Sequence, residues 1–345
     1  MIGVVGLGAV SPFGVGVEAL SGALRGESAP TEPDPRWGAD PVCTRLGVVP
    51  GFRARKLLPD RKAIKVMSRD AQFAVVAGIE ACGLDAAAAR GIPAERFGAF
   101  AAAGYEAAAL RDVRDMMVAS RDPQDLERLS VARLYEDGRD AYHPLAPLKT
   151  LPNMALFHVG TALGLRGPQL ALGSSAASGI AALGEALDAV KHGEADAALA
   201  FATDSMTALS RIEAMVEVGL LPGETWPAEG AAAILLGVDA DVGVLALEVG
   251  QAPVSADAPE VAYGPASESV LSEVAERLEV AARAAGGRGD VVDVRMSPVL
   301  GCTGAASGLL EVVLAVLTVR EQGGMARVVA SGWAGDVAGV IVGAA

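Results

Sequence analysis

This 345-residue chain is short of histidine and of aromatic side chains. Its histidines are His143, His158 and His192, so nothing beyond residue 192 carries an imidazole. Any acid–base site built by the later part of the chain has to do without one. Phe, Tyr and Trp make up 4% of the residues, which favours close packing of small side chains over aromatic-lined pockets. The three cysteines, Cys43, Cys82 and Cys302, are far apart and form no CxxC pair, so neither a disulfide framework nor a zinc site is indicated and a cytoplasmic setting is expected. Positive charge is also scarce, with 28 Lys and Arg against 42 Asp and Glu and a net charge of −14. That balance argues against a nucleic-acid partner, and the clearest basic tract runs from Arg53 to Arg69. No Lys or Arg precedes Arg25, and Pro12 interrupts the first apolar run, so the start reads as neither a signal peptide nor a membrane span. Within that run GLGAVS (Gly6 to Ser11) lacks the third glycine of a dinucleotide fingerprint and meets Pro12 where a helix should begin. No cofactor is expected.

What the chain does have is apolar content, 52% of residues, enough for a substantial core. Strand-length apolar runs at Ile2–Val5, Gln169–Leu172, Ala197–Phe201, Ala232–Leu236, Val242–Leu247, Val328–Ala330 and Val340–Val342 alternate with longer segments of helical period. The alternation predicts α/β layers. After Ala176 the residues Ile180, Leu183, Leu187 and Val190 mark one helix face. The charged tract from Glu106 to Asp140 lacks a sustained apolar stripe and reads as solvated helices and loops, a cap or insertion spanning about residues 106–150.

An internal repeat is the strongest feature. LGSSAASGIAAL (Leu172 to Leu183) recurs as LGCTGAASGLLEVV (Leu300 to Val313), each with an Ala-Ala-Ser-Gly core opening an apolar helix. Two such junctions suggest a duplicated α/β unit whose helix starts converge on one site. The predicted division is residues 1–240 and a shorter 241–345.

The chain resembles the β-ketoacyl-acyl carrier protein synthases of the thiolase fold. The likeness rests on five segments in family order: VVGLGAVSPFGVGVEAL near the start, DRKAIKVMSRDAQFAVVAG (Asp60 to Gly78), NMALFHVGTALGLRGPQLALGSSAASG (Asn153 to Gly179), GEADAALAFATDS (Gly193 to Ser205) and AEGAAAILL (Ala228 to Leu236). The resemblance implies duplicated five-stranded mixed sheet units with helices in layers. It also implies a cysteine at the first strand-turn-helix and two histidines in later loops. Here the cysteine position is Ala176, the second histidine position is Cys302, and the first, matched through AYGPASES, is Tyr263. The basic residue expected before the second histidine is replaced by Ser297. A single Cys-to-Ala replacement would account for Ala176 but for none of the others.

The resemblance therefore points to a member without the usual catalytic groups, similar to a chain-length-factor-type subunit. Such a subunit is expected to pair with an active ketosynthase in type II polyketide or fatty-acid-like synthesis, or with a second copy of itself. Ser174, Ser175, Ser178 and Trp333, the last in a Gly-rich SGWAGDVAG stretch, would line what remains of the pocket. Arg61, Lys62, Lys65 and Arg69, at helical spacing, would either dock an acyl carrier protein or form a solvated helix face. Two alternatives stand beside this reading. One is acyl transfer or decarboxylation through a serine, with the serines otherwise capping the helix. The other is a homodimeric scaffold that binds the carrier protein. Neither a metal nor a membrane enters any of the three.

Overall fold

The structure, a computed structural model, describes residues 2–33, 43–104, 110–151, 153–173, 175–217, 221, 225–238, 240–251, 267–295, 297–332 and 336–344. The strands are β1 (Gly3–Ser11), β2 (Gly14–Val15), β3 (Phe97–Ala103), β4 (Arg121–Asp122), β5 (Asp125–Leu129), β6 (Gln169–Gly173), β7 (Ala197–Ser205), β8 (Glu229–Gly237), β9 (Val242–Gln251), β10 (Val291–Asp293), β11 (Met325–Ser331) and β12 (Asp336–Ala344). The longer helices are α1 (Arg69–Cys82), α2 (Leu110–Ala119), α3 (Met154–Leu163), α4 (Ala176–Lys191), α5 (Leu209–Glu217), α6 (Glu268–Ala284) and α7 (Ser307–Gln322).

Strands β6, β3, β7, β8 and β1 lie side by side in that order. β3 is parallel to both its neighbours, and β8 is antiparallel to β7 and β1. Strands β10, β11, β12 and β9 repeat the order and the directions, with β10 parallel to β11 and the rest antiparallel. The same unit is thus built twice. The place that β6 fills in the first unit holds no strand in the second among the described residues. The sheets join where Gly3 and Val4 of β1 pair with Gly243 and Val242 of β9. Gly3 is required at that join because a Cβ would run into the Val242 carbonyl oxygen.

Helices α4 and α7 lie between the two sheets, each packing on strands of both. Helices α1 and α3 cover the outer face of the first sheet and α6 that of the second. The layers explain the sequence. β7 and β8 are covered on both faces and read as continuous apolar runs. α7 is buried nearly all round and is apolar on every side. Residues 69–89 are long and apolar enough to cross a bilayer by length and composition. In this fold that character serves packing, because α1 buries most of its side chains against β1, β7 and β8.

The repeat has a packing cause. Gly179 of α4 faces the start of α7, where a Cβ would lie 3.0 Å from Leu309 Cβ and 3.1 Å from the Ala305 oxygen. Gly308 of α7 faces the start of α4, where a Cβ would run into the Ala176 oxygen. The contact is reciprocal, so both copies need the same small residues.

The tract read as solvated helices and loops holds α2, a hairpin of β4 and β5, and short helical turns at Val131–Arg133, Leu134–Gly138 and Arg139–Ala141. The hairpin was not expected, because DLERL is mostly charged and its five residues are all exposed.

Candidate functional site

The site is assembled at the start of α4. Strand β6 delivers the chain to Gly173, and Ser175 caps the helix that Ala176 opens. Ser175 Oγ accepts from the Ser178 amide at 3.3 Å, and Ser178 Oγ accepts from the Ser175 amide at 3.2 Å. This capping box satisfies helix-start donors that would otherwise face an incoming group. Ser178 Oγ also donates to the Gly173 oxygen. From the other half of the molecule the Asp336 carboxylate accepts a hydrogen bond from Ser175 Oγ. Gly332 also lies close to this pair, since a Cβ there would run into the Asp336 carboxylate and lie 2.5 Å from Ser175 Cβ. Ala176 itself is half-buried and offers no proton, nucleophile or charge. Ser174, Tyr263 and Trp333 lie outside the described residues.

The second copy of the turn is built differently. Cys302 sits in a bridge, its amide donating to the Trp226 oxygen at 2.8 Å and its oxygen accepting from the Ala228 amide at 2.9 Å. Its side chain joins a small cluster with Cys43, Leu46, Met206 and Ile212. Burial pushes the thiol up to about 11, so it is protonated at neutral pH and packs as a small apolar group. Beside it stands Asp204, at the end of β7 and 3% exposed. Asp204 accepts from the Ala305 amide at 3.1 Å and the Ser205 amide at 2.8 Å, with the Arg211 guanidinium 3.6 Å away. Burial nevertheless raises its carboxyl to about 6. Gly104 and Gly304 are shaped around it, since a Cβ at either would strike the carboxylate.

The four cations grouped by spacing do not form one helical row, and this corrects the sequence reading. Arg61 and Lys62 lie in a turn, Lys65 ends a 3-10 turn, and only Arg69 is on a helix. Pro59, Asp60 and the Ser68 cap break the helix that the spacing suggested. Asp60 Oδ1 accepts from the amides of Lys62 at 2.7 Å and Ala63 at 3.2 Å, and these bonds hold its carboxyl below the usual carboxylate range. Arg69 forms a two-pronged pair with buried Glu229, at 2.6 and 2.5 Å, and its guanidinium lies 4.9 Å from the centre of the Phe73 ring. It is committed to the fold. Arg53, Arg55, Lys56, Arg61, Lys62 and Lys65 remain exposed, with Asp60 the one acid among them.

The chain's three histidines sit in three different settings. His192 follows the far end of α4, sixteen residues from Ala176 and so about 24 Å along the helix. His143 is exposed, with its Nδ1 accepting from the Leu145 amide at 3.1 Å. His158 is buried on α3 with no partner for Nε2 among the described residues, and burial lowers its pKa. Its packing agrees with a core role.

Among the described residues strand β6 pairs with β3 alone, so its outer edge has no partner strand there, and it is partly exposed along its length. It is the strand that leads directly into the α4 start.

Sequence comparison matches residues 1–237 to the β-ketoacyl synthase N-terminal domain. No curated protein matches by sequence. Among solved structures, the ishigamide ketosynthase/chain length factor is 19% identical with a TM-score of 0.71, and the match covers 99% of both chains. A chain from the structure of a type II polyketide-synthase acyl-carrier protein in complex with its ketosynthase bound to the hexaketide is 16% identical with a TM-score of 0.72, the match covering 100% of this chain and 99% of that one. A β-ketoacyl synthase from Burkholderia phymatum STM815 is 15% identical with a TM-score of 0.74, again covering 100% of this chain and 99% of that one. The unit is built twice, as the internal repeat predicted, and its fold is the thiolase-like one that the resemblance implied.

Proposed function

Since the chain belongs to the β-ketoacyl synthase family, we propose that it is a non-catalytic subunit that pairs with an active ketosynthase and shapes the acyl chain the pair builds. One observation carries this reading. The residue where the resemblance requires a cysteine is Ala176, and the helix start around it is closed by the chain's own Ser175, Ser178 and Asp336. A helix N-terminus favours a thiolate or an oxyanion when its amides are free. Here the Ser175 and Ser178 amides are taken by the capping box, the Ser175 hydroxyl is bound to Asp336, and Ala176 supplies no thiol.

Pairing takes place at β6. An exposed edge strand seeks a partner strand, and one added there would lie next to the α4 start, so the partner's site and this chain's residual pocket would share a wall. Ser174, Ser175, Ser178 and Trp333 form this chain's side of that wall. The likeness to a ketosynthase/chain length factor over 99% of both chains supports the pairing. The acyl carrier protein docks on the exposed cations of residues 53–65, with Arg61, Lys62 and Lys65 at their centre. Arg69 holds the base of that surface through Glu229 and is not itself a contact.

The test is affinity capture of the tagged chain from its source cell at native expression, followed by native mass spectrometry. A one-to-one complex with a synthase that carries the cysteine and both histidines is the expected result. Recovery of a homodimer alone would overturn the subunit reading and favour the carrier-binding scaffold.

A further inference from the structure

We propose that the second sheet binds an extended peptide segment of another polypeptide, seated beside β11 where β10 leaves it. The site lies at the opposite end of the strand order from β6, so it does not depend on the pairing proposed above.

The two units differ most at this place. In the first, β3 pairs with β7 over seven residues, Phe97 to Ala103. In the second, β10 pairs with β11 over three, Val291 to Asp293. One further bond, from the Val294 amide to the Arg327 oxygen at 2.8 Å, ends the contact. From Val328 to Ser331 no described strand lies beside β11 on that side. The equivalent positions in the first unit are filled by Phe100–Ala103, all of them buried.

Backbone groups are left over where the strand is missing. The N–H and C=O groups of a strand turn to one side and the other at alternate residues. On β11 the Gly324 oxygen accepts from the Ala344 amide and the Gly332 amide donates to the Asp336 oxygen, so the even positions serve β12. Arg327 turns its carbonyl to Val294, and Val329 and Ser331 therefore turn their backbone groups to the vacated side. Neither finds a backbone partner there among the described residues. Such a row is a template for an added strand.

A cavity of about 320 Å³ opens at the same place, large enough to seat side chains of a ligand. Leu271 and Ala275, one turn apart on α6, line it together with Val329. These walls suit an aliphatic side chain. The charges nearby do not suit an anion. Arg327, 15% exposed, donates from Nε and Nη2 to Asp293 at 2.6 and 2.9 Å and from Nη1 to the Ala275 oxygen at 3.1 Å, with Glu279 3.6 Å away. Its charge is already matched within the chain. Arg295, the other cation at the cavity, stands 3.7 Å from Glu268. A small apolar molecule would fill the cavity and leave the Val329 and Ser331 backbone unpaired. An extended peptide satisfies both features, its main chain bonding β11 and its alternate side chains entering the cavity. It runs parallel to β11, as β3 runs parallel to β7.

The test pans a phage-displayed library of random dodecapeptides against the immobilised full chain. Enriched peptides are resynthesised and their binding is measured by fluorescence polarisation on wild type, Ala275→Trp, Val329→Pro and Arg295→Ala. Ala275→Trp fills the cavity, and Val329→Pro removes an N–H from the vacated side without removing a bond to β12. Circular dichroism checks the fold of each variant, and hydrogen exchange on the wild type reads the site with no substitution at all. We expect peptides with aliphatic residues at alternate positions, bound about tenfold or more weakly by Ala275→Trp and Val329→Pro and unchanged by Arg295→Ala. We also expect exchange of the Val329 and Ser331 amides to slow when the peptide is bound. The absence of any enriched peptide, wild-type affinity in a folded Ala275→Trp, or slowed exchange confined to other residues would overturn the inference. Binding lost in Arg295→Ala and kept in Ala275→Trp would mark an anion site and overturn it as well.

Discussion

The two copies of the Ala-Ala-Ser-Gly turn, around Ala176 and around Ala305, share a sequence core and differ in almost everything around it. In both, the serine hydroxyl reaches back to accept from a backbone amide earlier in the turn. Ser178 Oγ takes the Ser175 amide at 3.2 Å, and Ser307 Oγ takes the Thr303 amide at 3.2 Å. The second turn has one extra residue, Gly304, whose φ of 54° forces a short 3-10 turn before α7. The first turn follows an exposed edge strand, whereas the second follows no strand among the described residues and is buried. Each helix start meets a carboxylate from the opposite half, Asp336 at the first and Asp204 at the second. The shared part is what the reciprocal helix contact demands. The parts that differ follow from what each turn faces, an exposed strand edge in one case and a buried interior in the other.

The largest effect should come from breaking the reciprocity. A Cβ at Gly308 meets a backbone oxygen that has little room to move, whereas one at Gly179 meets atoms 3.0 Å and 3.1 Å away. Gly308→Ala should cost about 3 kcal/mol and Gly179→Ala about 1 kcal/mol, read from urea unfolding midpoints. Equal losses would show that the two contacts are not as unlike as their geometry.

The second effect separates the two carboxylates by pH. Asp204 is raised from 3.8 to about 6 in the folded chain. A carboxyl with a higher pKa when folded binds its proton more tightly in the native state. Its contribution to stability is therefore complete below about pH 4 and is lost as pH rises through about 6, on the order of 2–3 kcal/mol. Asp204→Asn keeps an acceptor for the Ala305 amide and removes the titration. The variant should show a flatter stability profile than wild type between pH 4 and pH 7. A slope unchanged by the substitution would place the titration elsewhere.

These carboxylates are where sequence reading stopped. The apolar runs named as strands fall on β1, β6, β7, β8, β9, β11 and β12; β7 and β8, covered on both faces, show as unbroken apolar segments. β3, FGAFAAA, is fully buried but alanine-rich, and alanine does not announce a strand. β10 has three residues and β5 is charged, so neither has a period to detect. Asp336 and Asp204 act across 161 and 101 residues on helix starts in the other half. No local spacing records such a meeting. Arg69 was misgrouped for the opposite reason, since its spacing from Lys65 looked helical while its partner Glu229 lies 160 residues away.

The smallest effect asks what a thiol would do at the first turn. Ala176→Cys would place a thiol at the start of a sixteen-residue helix, the setting that lowers thiol pKa. The Asp336 carboxylate beside Ser175 opposes that field, because a nearby negative charge disfavours the thiolate. The new cysteine should therefore titrate no lower than the ~8.5 of a free thiol. Adding Asp336→Asn should speed its alkylation by iodoacetamide at pH 7.5 about tenfold. Cys302, protonated up to about 11, provides a slow internal reference. If Ala176→Cys alone reacts as fast as the double variant, Asp336 does not govern the helix start, and one substitution separates this turn from a working nucleophile site. If the double variant is needed, two features separate the turn from a reactive thiol: the alanine at position 176 and a carboxylate brought across from the other half.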